Sequence, residues 1–150
     1  MNTLEAMAER RSIRKFRPEP VSAQCLREIV EIARLYPSGG NLQPIRFAIV
    51  TDPALADAVF ADLRWAAYLP DYKIEESERP TAYLILLRDE NVRKKCDYDV
   101  GAASTMAMLA ATKKGLATCG DCPDRGGYPT VGAVWNSNSE AKSRLLERDR

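Results

Sequence analysis

The sequence predicts an α+β fold, a sheet flanked by helices, and three observations carry that prediction. Four segments have helical patterning and about three short apolar runs have the length of strands. The two kinds alternate without the strict βαβ rhythm of a doubly wound sheet. The chain has 150 residues, 45% of them apolar and 29% charged, which is enough length and apolar content to bury a core as one domain.

The first helix is expected from Thr3 to Arg10, with Thr3 as the cap and Leu4, Met7 and Ala8 on one face. A second follows Ser22, a natural N-cap, and places Leu26, Ile29, Val30 and Ala33 in a stripe that ends before Pro37. Phe47 to Thr51 reads as a strand. Asp52-Pro53 then opens a third helix from Ala54 to about Trp65, with Leu55, Val59, Phe60 and Leu63 turned inward. Pattern is lost from Tyr68 to Pro80, a polar stretch that is either a surface loop or a lid. Thr81 to Leu87 is almost continuously apolar, as expected of a central strand buried on both faces. From Tyr98 to Ala111 small residues dominate every side of a fourth helix, so neighbouring helices can approach it closely. Lys113, Lys114 and Gly115 end it, with cations at the negative end of the dipole and glycine at the stop position. Gly120 to Pro129 reads as a short loop, and Thr130 to Trp135 as a strand.

Composition narrows the chemistry. With 22 basic against 21 acidic residues there is no whole-molecule bias toward nucleic acid or membrane, so any anion site must be local. No histidine is present, which removes Ser-His and Cys-His nucleophilic devices and imidazole metal ligands. Cys119 and Cys122 form C-x2-C, but Cys25 and Cys96 supply no second pair at zinc-ribbon spacing, so no metal is expected. A dithiol role for Cys119 and Cys122 is one reading; reduced thiols in an intracellular chain are the plainer one. No window approaches a membrane span and the N-terminus lacks the pattern of a signal peptide, so a cytoplasmic protein is the expectation.

Two polar clusters stand out. The stretch from Pro37 to Phe47 contains Ser38, Gly39, Gly40, Asn41 and Gln43: glycines that allow positive φ and close backbone approach, and amides that a simple turn does not need. It is a ligand-facing loop or an ordinary helix-to-strand connection. Upstream, residues 10–17 carry five cations and a hydroxyl. Ile13 and Phe16 must find a core, which anchors the run so that its guanidinium groups can converge on a phosphate; the alternative is a solvated charged face.

These motifs carry a family resemblance. An N-terminal helix running into Arg10-Arg11-Ser12-Ile13-Arg14, then Pro37-Ser38-x-x-Asn41-x-Gln43-Pro44, then Asp99-x-Gly101 opening a small-residue helix that ends in Gly115-Leu116-Ala117-Thr118-Cys119, resembles the nitroreductase family of FMN-dependent oxidoreductases. The resemblance covers residues 2 to about 119. It implies a homodimeric α+β fold with a mainly antiparallel sheet and FMN at the subunit interface. It also implies electron transfer from NAD(P)H to nitroaromatic, quinone or related acceptors in a ping-pong cycle. Carried over by position, Arg10, Arg11, Ser12 and Arg14 hold the FMN phosphate and ribityl chain, whereas Pro37, Ser38, Gly39, Asn41 and Gln43 belong to the loop that the other subunit lays against the flavin. Lys142 and Arg144 resemble a late basic pair that completes the phosphate site, although a charged tail has the same composition.

Relative to that family pattern a helix near residues 120–130 is missing, which makes residues 1–150 one compact domain. Gly120 and Asp121 then stand where a backbone donor to the flavin is expected. The shortened segment also keeps open a non-catalytic flavin-binding role, with a Cys119/Cys122 dithiol protein as a third reading.

Overall fold

The computed structural model describes residues 1–63, 65–66, 69, 71–121 and 130–136, with Asp121 and the last of these ranges given by backbone alone. Among these residues are four α-helices, α1 (Thr3–Glu9), α2 (Ala23–Ala33), α3 (Pro53–Ala61) and α4 (Asp97–Lys113), and four strands, β1 (Ile45–Val50), β2 (Tyr83–Arg88), β3 (Leu116–Asp121) and β4 (Thr130–Asn136). The sheet order is β1-β2-β4-β3 and every pairing is antiparallel. The α+β expectation and its antiparallel sheet therefore stand.

β2 is central, as its apolar run predicts. Tyr83, Leu84 and Leu86 are buried, and the strand is paired on both sides, Leu84 lying opposite Ile49 of β1 and Gly132 of β4. α4 packs on this sheet through its smallest residues. Ala103, Ala107 and Ala111 recur every fourth position and are buried, so the helix axis comes close to α2 and β3.

β3 is the element that differs most from expectation. Leu116 to Cys119 reads as the exit of a helix and Gly120-Asp121 as loop, yet all six residues form a strand. It is held by β4 on one side and by an isolated parallel bridge, Ser12 to Thr118, on the other. The register sets Asp121 opposite Val131, leaving only residues 122–129 between β3 and β4. Those residues, and with them Cys122, lie outside the described set.

Smaller corrections concern caps and faces. Asn2, not Thr3, caps α1: its side chain accepts the Glu5 N–H at 3.0 Å while the Glu5 carboxylate accepts the Asn2 N–H at 2.8 Å, a reciprocal box. The face of α1 that carries Leu4 and Met7 is exposed, Leu4 by 75% and Met7 by 52%, and within this helix Ala6 alone is buried. In α3, Leu55 is likewise exposed and Ala56 takes the buried position. The helix ends at Ala61, short of Trp65.

At its described residues, the polar stretch after α3 is tied to residues 14–16. Trp65 Nε1 donates to the Arg14 carbonyl at 3.2 Å and its ring meets Phe16 edge-on at 6.0 Å, while the Phe16 N–H donates to the Glu78 carbonyl at 2.9 Å. Lys15 pairs with Glu78 at 2.8 Å. The hydrogen bond from Lys15 holds the Glu78 carboxyl below its ordinary range, and the same bond raises Lys15. A carboxylate lowered in the folded state adds stability above its unfolded pKa and loses it as pH falls through the folded value. Chemical denaturation of Lys15→Ala is therefore expected to show a shallower loss of stability below about pH 4.5 than the parent chain. Parallel acid profiles would rule out the pair as a contributor. The effect is small, because both groups face solvent.

Candidate functional site

Helix α2 ends at Ala33, and the chain turns through Tyr36 and Pro37 into a 3-10 turn, Gly39–Asn41, before β1. Gly40 (φ 63), Asn41 (φ 55) and Gln43 (φ 47) all occupy the left-handed region. Glycine enters it freely and asparagine tolerates it, but for glutamine it costs on the order of 1 kcal/mol. Strain of this kind persists only where the surroundings enforce it, and here they do. The Ser38 Oγ accepts the Gln43 N–H at 3.0 Å, Gln43 Nε2 donates to the Arg34 carbonyl at 3.3 Å, and the Asn41 N–H donates to the Ser38 carbonyl at 2.9 Å. Beneath the loop the buried Tyr36 hydroxyl accepts the Ile45 N–H at 3.1 Å. Burial raises its phenol.

The expected loop residues thus divide. Gln43 turns its amide back onto α2. The exposed Asn41 side chain makes no hydrogen bond among the described residues, and Pro37, Gly39 and Gly40 are exposed beside it. This is a surface that presents backbone and amide groups outward. Sequence reading missed what holds it from the other side: Asp99 in the first turn of α4, 4% exposed, whose Oδ1 accepts the Gly39 N–H at 3.2 Å. The signal was present in Asp99-x-Gly101, but a contact across sixty residues of chain has no local pattern.

The cationic segment also divides. Arg11 Nη1 donates to the carbonyls of Ala8 (2.7 Å) and Arg10 (2.8 Å), so its guanidinium caps the end of α1. Arg14 Nη1 donates to the Ser12 carbonyl at 3.0 Å. Among the described residues neither the Arg10 guanidinium nor the exposed Ser12 hydroxyl has a partner. Ile13 and Phe16 are buried, as their apolar character requires, and anchor the run against the sheet. Lys142 and Arg144 lie outside the described residues.

Beside this segment runs the outer edge of β3. The Ile13 N–H donates to the Thr118 carbonyl at 3.0 Å, so Thr118 turns its backbone polar groups toward residues 12–13. Alternation along a strand sends those of Gly120 to the same edge, and those of Asp121 toward β4. Gly120 is exposed there. Of the two residues expected to supply a backbone donor, Gly120 therefore turns its N–H to the outer edge of β3 and Asp121 is taken up by the sheet.

One chain does not bring the loop and the cationic segment together. Gly120 lies beside Met108, a Cβ at Gly120 falling 3.9 Å from Met108 Cε, so β3 runs back along α4 and Thr118 is level with its last turns. Asp99 is at the other end, roughly 20 Å away along the axis at 1.5 Å per residue. Among the described residues no cluster of acidic or cysteine side chains could hold a metal, and no helix is long and apolar enough to cross a membrane. Cys119 is buried in β3 with its Sγ donating to the Gly120 carbonyl at 3.5 Å.

Comparison with known proteins gives the family and the fold. The nitroreductase family matches residues 7–120. The chain is 49% identical to an NADH dehydrogenase of Thermus thermophilus over 63 residues, 42% of this chain and 29% of that protein's length. With 4-nitrobenzoate reductase of Pseudomonas putida it shares 26% identity, covering 75% of this chain and 69% of the relative. Among solved structures it resembles an FMN-dependent nitroreductase of Clostridium difficile R20291 (TM-score 0.66, 27% identity, 83% of this chain and 62% of that one). A nitroreductase with bound FMN from Desulfitobacterium hafniense has the same fold (TM-score 0.70, 24% identity, 93% and 91% covered).

Proposed function

The chain belongs to the nitroreductase family, and from that premise we propose that it is an FMN-dependent oxidoreductase that uses NAD(P)H to reduce nitroaromatic, quinone or related acceptors. When bound, FMN would supply the redox chemistry between NAD(P)H and the acceptor, in ping-pong order. Everything else falls to the protein. Arg10, Ser12 and Arg14 face the phosphate and ribityl chain, with charge-assisted bonds from guanidinium groups to phosphate. Arg11 holds the end of α1 that carries them. Gly120 offers a backbone N–H to the ring edge from the outer side of β3. Pro37, Ser38, Gly39 and Asn41 form the wall against the ring, with Gln43 and Ser38 keeping its shape.

The observation that carries this reading is the partition of the chain into two ligand-ready surfaces that do not meet. A homodimer reconciles them, each protomer laying its Gly39–Asn41 loop against the cationic segment of its partner. Leu4 and Met7 on α1 and Tyr98 on α4, the last 96% exposed, are apolar surface for such an interface to cover. Lys142 and Arg144 are proposed to join the phosphate site from the C-terminal side.

The purified chain, reconstituted with FMN and desalted, is expected to be a yellow dimer whose flavin absorbance bleaches anaerobically on adding NAD(P)H. A colourless protein would refute the flavin reading. Colour without bleaching would leave a binding protein that does not turn over, and a monomer that holds FMN tightly would refute the shared site.

A further inference from the structure

We propose that Asp99 and Arg93 are a positioning pair that grips the Gly39 peptide and thereby fixes the conformation in which Gly40 and Asn41 meet the ligand, an inference that rests on the flavin-site reading above. Asp99 is buried, and a buried carboxylate needs partners. It has two that bear on one residue. Its Oδ1 accepts the Gly39 N–H at 3.2 Å, and its Oδ2 lies 4.0 Å from Arg93 Nη1. The same Arg93 nitrogen donates to the Gly39 carbonyl at 3.4 Å. Both polar groups of Gly39 are therefore held, one by the acid and one by the cation that the acid attracts.

The grip explains both glycines. Gly40 is required by its φ of 63, and a Cβ at Gly39 would displace the Arg93 guanidinium tip from the peptide it holds. Immediately beyond lie Asn41 and Gln43 in the left-handed region, which a loose loop would leave for commoner conformations. Holding Gly39 at the start of the turn and Gln43 at its end, through Ser38, leaves the loop few alternatives. A wall organised in advance spares the ligand the cost of ordering it.

The decisive measurements are amide hydrogen exchange on the flavin-free protein and FMN affinity from quenching of flavin fluorescence, made on the full chain and its Asp99→Ala, Asp99→Asn, Arg93→Ala and Gly39→Ala variants. Asp99→Ala is expected to speed exchange at the Gly39 and Leu42 amides by roughly tenfold while the central amides of α4 are unchanged. FMN binding should weaken by roughly tenfold. Asp99→Asn keeps an acceptor for the amide but not the charge for Arg93, and should fall between. Gly39→Ala should reproduce Arg93→Ala, and the two together should add little.

A double-mutant cycle with Asn41→Ala separates positioning from general support. If Asp99 acts through the loop, its replacement in the Asn41→Ala background should weaken FMN by less than about threefold. Unchanged loop amides, or losses that multiply fully across the cycle, would overturn the proposal. Should Asp99→Ala fail to fold, Asp99→Asn and Arg93→Ala decide by the same readouts. If the parent chain binds no FMN, the flavin reading fails, while the exchange rates still decide whether the pair holds the loop.

Discussion

Replacing Arg10 and Arg14 together by alanine is expected to weaken FMN binding on the order of a hundredfold and to leave riboflavin binding within about threefold of the parent. Each guanidinium directed at a phosphate contributes a charge-assisted hydrogen bond of about 1.5–3 kcal/mol, partly screened at this exposed edge of the sheet. Riboflavin has the same ring and ribityl chain without the phosphate, so it isolates the charge term. The parent chain should also lose FMN affinity as salt is added, and the double variant should be nearly indifferent to salt. Equal losses for both flavins would instead mean that the segment had shifted. Arg11→Ala is the control: its guanidinium lies on the Ala8 and Arg10 carbonyls, so its effect should appear first in stability.

Leu84→Ala should cost about 2–5 kcal/mol of stability. Leu84 is wholly buried in β2, the strand paired on both sides, and the sheet around it cannot move inward without breaking register with Ile49 and Gly132. A cavity there keeps most of its volume, which is the costly case for a large-to-small change. Urea unfolding at fixed protomer concentration should show a lower midpoint with an unchanged slope. A loss below about 1 kcal/mol would show that β2 is not the centre of the core.

The parts of this fold legible in the sequence are those whose causes are local. The apolar run at residues 81–87, the small-residue helix and the Ser22 cap each announce themselves within a few positions. β3 does not. Leu116-Ala117-Thr118-Cys119-Gly120-Asp121 follows a glycine stop and contains another glycine, and it is a strand only because β4 and Ser12 pair with it from either side. The exposure of α1 is not legible for a related reason. Periodicity says that Leu4 and Met7 share a side, but not whether this chain covers that side, and among the described residues it does not.

The site was legible in the same uneven way. Both polar clusters were visible as compositions out of keeping with a turn or a solvated face. Their internal division was not: that Arg11 caps a helix and that Gln43 folds back on Arg34 depend on where a long side chain finds a carbonyl. Asp99 gives no local sign of being a support, because acids in the first turn of a helix, here Asp97 and Asp99, satisfy the dipole and need no other explanation.

α4 reaches from the acid that holds one ligand surface to the strand that carries the other. It acts as a gauge. Deleting one residue from its interior would draw its ends about 1.5 Å closer and rotate one against the other by about 100°, turning the loop away from any flavin it had faced. An insertion or deletion inside α4 should therefore cost function even at positions where no side chain touches either surface.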